Sequence, residues 1–307
     1  MQDRRVLITG GAGFIGSNLA NRLAADNDVI AVDDESFGTA DHLDAGVDFR
    51  KRSVLDEDLP TDVDLVFHLA ALSSSPMHEA DPTRGVRVNV EGFVNVVEQA
   101  REDGCETVVY ASTSSVYGDR TEPSSEATET AARTAYEASK LACERYAEYF
   151  STYHGMSVAG LRLFSVYQGY GGAESHKAEY ANVLAQFADD IANGNSPVLY
   201  GDGTQTRDFT HVSDVVRAIV AAGERRLDGV YNVGTGDRHS FNEAVELLND
   251  ELGTDVAPEY VENPIPEAVY VHDTCADASK LRDATGWVPE IGFEAGIESV
   301  CRQYRPR

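Results

Sequence analysis

Lysine is almost missing from this 307-residue chain: only Lys51, Lys140, Lys177 and Lys280 occur, and 25 basic residues in all face 52 acidic ones. The formal charge of −27 leaves no broad basic face, which argues against partners that are nucleic acids or anionic membrane surfaces. Cysteine is scarce as well. Cys105, Cys143, Cys275 and Cys301 are scattered, with no C-x-x-C pair and no His/Cys cluster at metal-ligand spacing, so they read as buried free thiols and no metal site is expected. No apolar run reaches membrane length, and the first strand-like run, Val6-Leu7-Ile8, is not preceded by a basic region, an apolar segment or a cleavage site. A cytoplasmic location is the expectation. Internal repeats, low-complexity tracts and Pro/Gly-rich linkers are also lacking.

With 42 % apolar residues the chain can bury a large core, as one domain or as two closely joined ones. Its acidity is spread along the whole length and is not held in a tail. A densely carboxylated surface stays solvated while salt screens its own repulsion, so adaptation to high salt is a hypothesis the composition raises.

The most informative segment that is present is Thr9-Gly10-Gly11-Ala12-Gly13-Phe14-Ile15-Gly16. It follows an apolar run and opens an amphipathic stretch, the strand-turn-helix order that grips a dinucleotide pyrophosphate. Gly10 permits a tight turn, Gly13 lets phosphate oxygens reach backbone N–H groups, and Gly16 lets the helix pack on the strand. The alternative is an ordinary strand-to-helix turn. A second buried strand, Asp28 to Asp33, ends about twenty residues past the glycines, where a carboxylate can accept both ribose hydroxyls of an adenosine. Asp33 and Asp34 would repel a 2'-phosphate, and the first arginine downstream is Arg50, so NAD is favoured over NADP.

Short apolar runs at 5–8, 28–32, 63–69, 107–111 and 157–163 alternate with helical patterns near 15–25, 89–102 and 136–153. The expected fold is α/β, a doubly wound parallel Rossmann sheet. Residues 1–164 form its NAD-binding part, with later returns near 207–234. Residues 165–307, where the rhythm becomes irregular, form a smaller C-terminal substrate-binding α/β region.

Tyr136-Glu137-Ala138-Ser139-Lys140 places a phenol and an ammonium one helical turn apart on one face. The lysine cation favours the phenolate and lowers the tyrosine pKa, and the ammonium can hold ribose hydroxyls. Upstream, Val109-Tyr110-Ala111-Ser112-Thr113-Ser114-Ser115-Val116-Tyr117-Gly118 brings hydroxyls to a strand end. The order of glycine turn, hydroxyl run and Tyr/Lys pair resembles that of the extended short-chain dehydrogenase/reductases, within them the NAD-dependent nucleotide-sugar epimerase/dehydratase group. The resemblance spans nearly the whole chain. It takes in His68-Leu69-Ala70-Ala71, Asn89-Val90-Glu91-Gly92, Arg162-Leu163-Phe164, the block from Gly201 to Phe209, Tyr231-Asn232-Val233-Gly234, Ala276-Asp277-Ala278-Ser279-Lys280 and Gly286-Trp287-Val288-Pro289.

The resemblance implies a catalytic hydroxyl at Thr113, with Ser112 as the runner-up, beside Tyr136 and Lys140. It implies an NAD lining of Gly10, Gly13, Phe14, Ile15, Gly16, Asp33, Asp34, Val54, Leu69, Ala70, Ala71, Asn89, Ala111, Ser112, Tyr136, Lys140 and Leu163. Thr113, Tyr136, Ser165 and Arg207 would meet the small-molecule nucleotide-sugar substrate, Arg207 by forking onto its diphosphate. The implied reaction is epimerisation, by transient oxidation to a keto sugar and return of the hydride to its other face. His68 reads as a packing residue of its block, and Asn89 as a nicotinamide-side residue or a helix N-cap. Arg207 could instead pair with Asp208 or Asp214. Relatives pair two helices across a dimer axis, so a homodimer is expected, with Val94, Val97, Leu141, Tyr149 and Tyr153 as candidate contacts; core packing explains the same side chains.

Three positions depart from the family pattern. Ser165 stands where an asparagine is usual, Glu267 falls where a second arginine faces the diphosphate, and Ser53 replaces an aspartate near the adenine. Arg207 and backbone donors could suffice, another arginine could substitute, or the substrate could carry less phosphate charge. Ser114 and Ser115 occupy the places of the Asp-Glu pair of dehydratases, and Ser115 that of a glutamate in decarboxylases, which disfavours both. A keto-sugar reductase or dehydrogenase, the disfavoured sugar-nucleotide dehydratase, and a non-catalytic NAD-sensing protein are the alternatives.

Overall fold

A strand covered on both faces needs no polar alternation, and the uninterrupted apolar runs of the first half are of this kind. In a computed structural model, which describes residues 1–169 and 172–304, they join into one seven-stranded parallel sheet. From its middle, β1 (Arg5–Thr9), β2 (Asp28–Asp33) and β3 (Val47–Lys51) step outward to one edge. In the other direction lie β4 (Leu65–His68), β5 (Thr107–Thr113) and β6 (Ser157–Leu163), and the strand Gly229–Val233 pairs beside β6 to close that edge. Thr9 is in register with Val32 on one side and His68 on the other. The chain changes direction between β1 and β4, so a crevice opens beyond the C-terminal ends of those two strands.

Helices cover both faces. In chain order they are α1 (Phe14–Ala24), α2 (Ser75–Ala80), α3 (Pro82–Val86), α4 (Gly92–Glu102), α5 (Ala135–His154), α6 (Val183–Ala192), α7 (Val212–Glu224), α8 (Phe241–Leu252), α9 (Ser279–Thr285) and α10 (Phe293–Cys301). On one face Leu19 and Leu23 of α1 and Val215 and Ile219 of α7 pack against Val6, Ile8 and Phe67. On the other, Phe93 and Val97 of α4 and Phe150 of α5 pack against Leu7, Val66, Val108 and Tyr110. Phe93 has no exposed surface and touches the rings of Tyr110 at 4.8 Å and His68 at 5.6 Å. Its truncation to alanine would cost about 3–5 kcal/mol.

Three features differ from the sequence expectations. The edge strand Val47–Lys51 was not expected, because only Val47 and Phe49 alternate with charge; Arg50 bonds Asp48 and Lys51 bonds Glu35 along it, the polar dressing of an unpaired edge. The helix expected from residue 89 begins at Pro82 and passes through a π-helical turn, Arg87–Glu91, before α4. Residues beyond 164 are more regular than their composition suggested: α6, α8 and α10 enclose a separate core of Leu184, Phe187, Ile191, Leu199, Phe209, Phe241 and Ile297. Among the described residues no helix is long and apolar enough to cross a membrane, and all four cysteines are free and buried.

Candidate active site

The crevice beyond β1 and β4 deepens into a cleft of about 420 Å³. Its floor is the glycine turn. Gly10 sits at φ +69°, where a side chain would be strained, and a Cβ there would come within 2.5 Å of the Ala70 nitrogen. A Cβ on Gly16 would lie 2.0 Å from the Gly10 carbonyl oxygen, so α1 can approach β1 this closely only through a glycine. Gly13 is the N-cap of α1 and offers no side-chain acceptor to the first turn, which leaves backbone N–H groups free for an anion. At the end of β2, Asp33 accepts hydrogen bonds from the N–H groups of Ala12 (3.2 Å) and Glu35 (2.8 Å). Burial pushes its carboxyl above the usual range despite those bonds. A cradle that excludes side chains, faces free N–H groups and ends in a carboxylate fits a dinucleotide.

The opposite wall comes from β5 and α5. Thr134 and Glu137 close a capping box: Thr134 Oγ1 accepts from the Glu137 N–H, and Glu137 Oε2 accepts from the Thr134 N–H, both at 3.2 Å. Tyr136 is thereby fixed in the first turn, and Lys140 follows one turn later on the same side. Lys140 Nζ donates to the Ala111 carbonyl oxygen (2.8 Å), and burial lowers its pKa. Tyr136 is the correction here. Burial, opposed by a hydrogen bond with Thr113, raises its phenol to about 12, where a lowering by Lys140 was expected. Thr113 Oγ1 also lies 3.0 Å from Ser115 Oγ. Ser112 turns the other way: its hydroxyl donates to Glu144 (2.6 Å), whose carboxylate is paired with buried Arg162 at 2.7 Å. Thr113 is therefore the strand-end hydroxyl beside Tyr136.

All but two of the residues expected to meet NAD or substrate line this cleft: Gly10, Gly13, Phe14, Ile15, Gly16, Asp33, Asp34, Val54, Leu69, Ala70, Ala71, Ala111, Ser112, Thr113, Tyr136, Lys140, Leu163 and Ser165. The exceptions are Asn89 and Arg207. Asn89 lies within the π-helical turn, so it caps no helix, and it is buried behind the wall. Its Oδ1 accepts from the Leu72 N–H (2.8 Å), and its Nδ2 lies within 3.1 Å of the Leu72 carbonyl oxygen, Ser139 Oγ and His78 Nε2, bracing α2 against α5. Arg207 pairs with neither Asp208 nor Asp214. Its guanidinium donates to the carbonyl oxygens of Thr206 (2.8 Å), Val271 (2.7 Å) and His272 (2.9 Å) and lies over the Phe241 ring. Glu267 is exposed on a loop, and Ser53 lines the cleft. His68 is a packing residue: its Nδ1 meets Thr9 Oγ1 at 2.9 Å, and burial lowers its pKa to about 3. Phe37, Arg52, Arg84, His176 and Lys177 also line the cleft. They carry no motif, lying in loops (Phe37, Arg52) or in short helical turns (Arg84, His176, Lys177), so the sequence did not mark them; the rarity of lysine was the one available signal for Lys177.

The model of the NAD dependent epimerase/dehydratase family matches residues 6–234. The chain is 33% identical to the UDP-glucose 4-epimerase of Mycolicibacterium smegmatis over 315 residues, 98% of each chain. It is 30% identical to the UDP-N-acetyl-alpha-D-glucosaminuronate decarboxylase of Bacillus cytotoxicus over 322 residues, again 98% of each. A solved UDP-N-acetylglucosamine 4-epimerase from Methanobrevibacter ruminantium M1, in complex with UDP-N-acetylmuramic acid, superposes with a TM-score of 0.91 at 31% identity, covering 99% of both chains.

Proposed function

The chain belongs to the NAD dependent epimerase/dehydratase family, and on that premise we propose that it is a UDP-glucose 4-epimerase-like enzyme that inverts a ring carbinol of a nucleotide sugar. The observation that carries this reading is convergence: Thr113, Tyr136 and Lys140 face the same cleft as the glycine turn and Asp33. The glycine turn and Asp33 would hold NAD, which would supply a reversible hydride acceptor for the carbinol carbon and so allow the hydride to return to the other face of the keto sugar. Asp33 receives the adenosine ribose, and the free N–H groups of the first turn of α1 receive the pyrophosphate. The Tyr136 oxygen takes the carbinol proton and gives it back, while the Thr113 hydroxyl holds the same sugar oxygen in line. Because burial disfavours the phenolate, the remaining N–H groups of Lys140 and the Thr113 hydroxyl must supply its stabilisation.

Relatives named as decarboxylases align with nearly the whole chain, so the choice rests on the extra acid or base. Ser114 and Ser115 offer none, and Ser115 Oγ is turned onto Thr113. The test is to release and quantify bound dinucleotide from purified protein, then incubate it with UDP-glucose, UDP-N-acetylglucosamine and UDP-glucuronate at low and high salt. Interconversion with the 4-epimer supports the proposal. Carbon dioxide from the glucuronate would make it a decarboxylase, net NADH release a dehydrogenase, and bound NAD without turnover a sensor. In this reading the enzyme works in the cytoplasm as a homodimer. Tyr149 and Tyr153 of α5 are exposed and stacked on each other at 5.6 Å, whereas Val97 is core and leaves the candidate contacts. Tyr149→Glu with Tyr153→Glu should convert a dimer to a monomer in sedimentation; an unchanged mass would remove α5 from the interface.

A further inference from the structure

The cleft is crossed by a segment that the proposed reaction leaves without a role. Glu174, with no exposed surface, accepts from the N–H groups of Gln168 and Gly169 (2.9 Å each) and Asn182 (2.6 Å), tying the base of a strap that includes the short 3-10 helix Ser175–Tyr180. The strap rests on the nucleotide side of the cleft. His176 packs on His42 with ring centres 5.6 Å apart, Tyr180 meets the Phe37 ring edge-on at 6.3 Å, and the amides of Gln168 and Asn18 exchange hydrogen bonds at 3.1 Å. Lys177 extends from this strap to place its ammonium 5.4 Å from the centre of the Phe14 ring.

That position is electrostatically odd. Phe14 is the first residue of α1, the end at which the helix dipole is positive, so a cation beside it is repelled. The ammonium makes no hydrogen bond or ion pair among the described residues, and the Glu174 carboxylate behind it is occupied by three backbone N–H groups. Burial accordingly lowers the Lys177 pKa. The other cations of the cleft are engaged: Arg52 with Asp58 at 2.6 Å, Lys140 with the Ala111 carbonyl oxygen, and Arg84 with the face of Phe37. His176 beside it also has a buried Nδ1 without a partner among the described residues. An ammonium held only by a ring face and by the field of Glu174, and a positive helix end facing the same cleft, become favourable together when an anion lies between them.

We infer that Lys177 is the cationic contact for the dinucleotide pyrophosphate, closing on it from the strap while the glycine turn holds its other side. The inference rests on the reading of this cleft as the NAD site. It makes NAD retention dependent on a residue outside the glycine motif, in a chain whose charge of −27 otherwise opposes a dianion.

The test uses dinucleotide-stripped full-length protein titrated with NAD, ADP-ribose and adenosine, in parallel for wild type, Lys177→Met and Lys177→Arg. Met retains the aliphatic stem over Phe14, and thermal melts check that the variants fold. In Lys177→Met the affinities for NAD and ADP-ribose should fall by roughly tenfold or more and lose part of their salt dependence. Adenosine binding should be unchanged, and Lys177→Arg should retain most of the wild-type affinity. Equal NAD affinity and salt dependence in wild type and Lys177→Met overturn the inference. So does a loss confined to UDP-sugar binding, which would move Lys177 to the substrate's diphosphate. Wild-type protein that binds no NAD at all would instead defeat the functional reading.

Discussion

Tyr136 has a phenol that burial makes reluctant to ionise, next to a threonine hydroxyl and below a lysine that is already bonded to a main-chain carbonyl. Replacing it with phenylalanine removes the proposed proton acceptor and leaves the wall of the cleft in place. Tyr136→Phe should therefore lower kcat by about 10²–10⁴-fold while the protein keeps its NAD, as measured by released dinucleotide. Retained turnover would take the proton chemistry away from this residue. The residue types and their order along the chain could be read without coordinates; the direction of Ser112 could not, because its partner Glu144 lies on another element. The same is true of Arg207, whose carbonyl partners Val271 and His272 are far along the chain. His68 carries a stability consequence. Its folded pKa near 3 lies below the ordinary 6.5, so the unfolded chain binds more protons between those values and stability falls as pH drops through that window. Asp33 and Asp208 are shifted upward and contribute the opposite slope, so the comparison is between wild type and His68→Gln. Urea midpoints between about pH 7 and 4 should decline less steeply in the variant. Parallel slopes would show that His68 does not govern this window.

At the scale of elements, strands buried on both faces announce themselves by apolar runs, which is why β1, β2, β4, β5 and β6 were legible. The edge strand Val47–Lys51 was hidden because a half-exposed edge mixes charge into its alternation. The π-helical turn at Arg87–Glu91 was hidden for a different reason. Its widened backbone is held by a tertiary contact, Cys143 Sγ donating to the Asn89 carbonyl oxygen at 3.1 Å, and this aims Asn89 inward. The start of α5, by contrast, is written locally in Thr134 and Glu137. Thr134→Ala should cost about 1 kcal/mol in urea unfolding and lower kcat beyond what its stability loss explains, since the first turn that frays carries Tyr136. A stability loss with unchanged kcat would mean that packing against α2 alone positions the phenol.

For the whole molecule the dominant quantity is charge. Many of the carboxylates sit on the exposed faces of an apolar core whose own burial is ordinary, so their mutual repulsion is relieved mainly by counterions. The denaturation midpoint should rise steeply as monovalent salt increases from millimolar to molar concentration, and full stability in low salt would reject adaptation to brine. The sheet edge has a further consequence. The strand Gly229–Val233 and helix α7 belong to the nucleotide sheet, yet they follow the first part of the separate core formed by α6, α8 and α10. A recombinant that trades everything after residue 164 with a relative would carry away the neighbour of β6 along with the segments proposed to meet the substrate. Retargeting by exchange must therefore cut the chain at two pairs of crossovers, one on each side of α7 and its strand, and graft the flanking segments as separate cassettes.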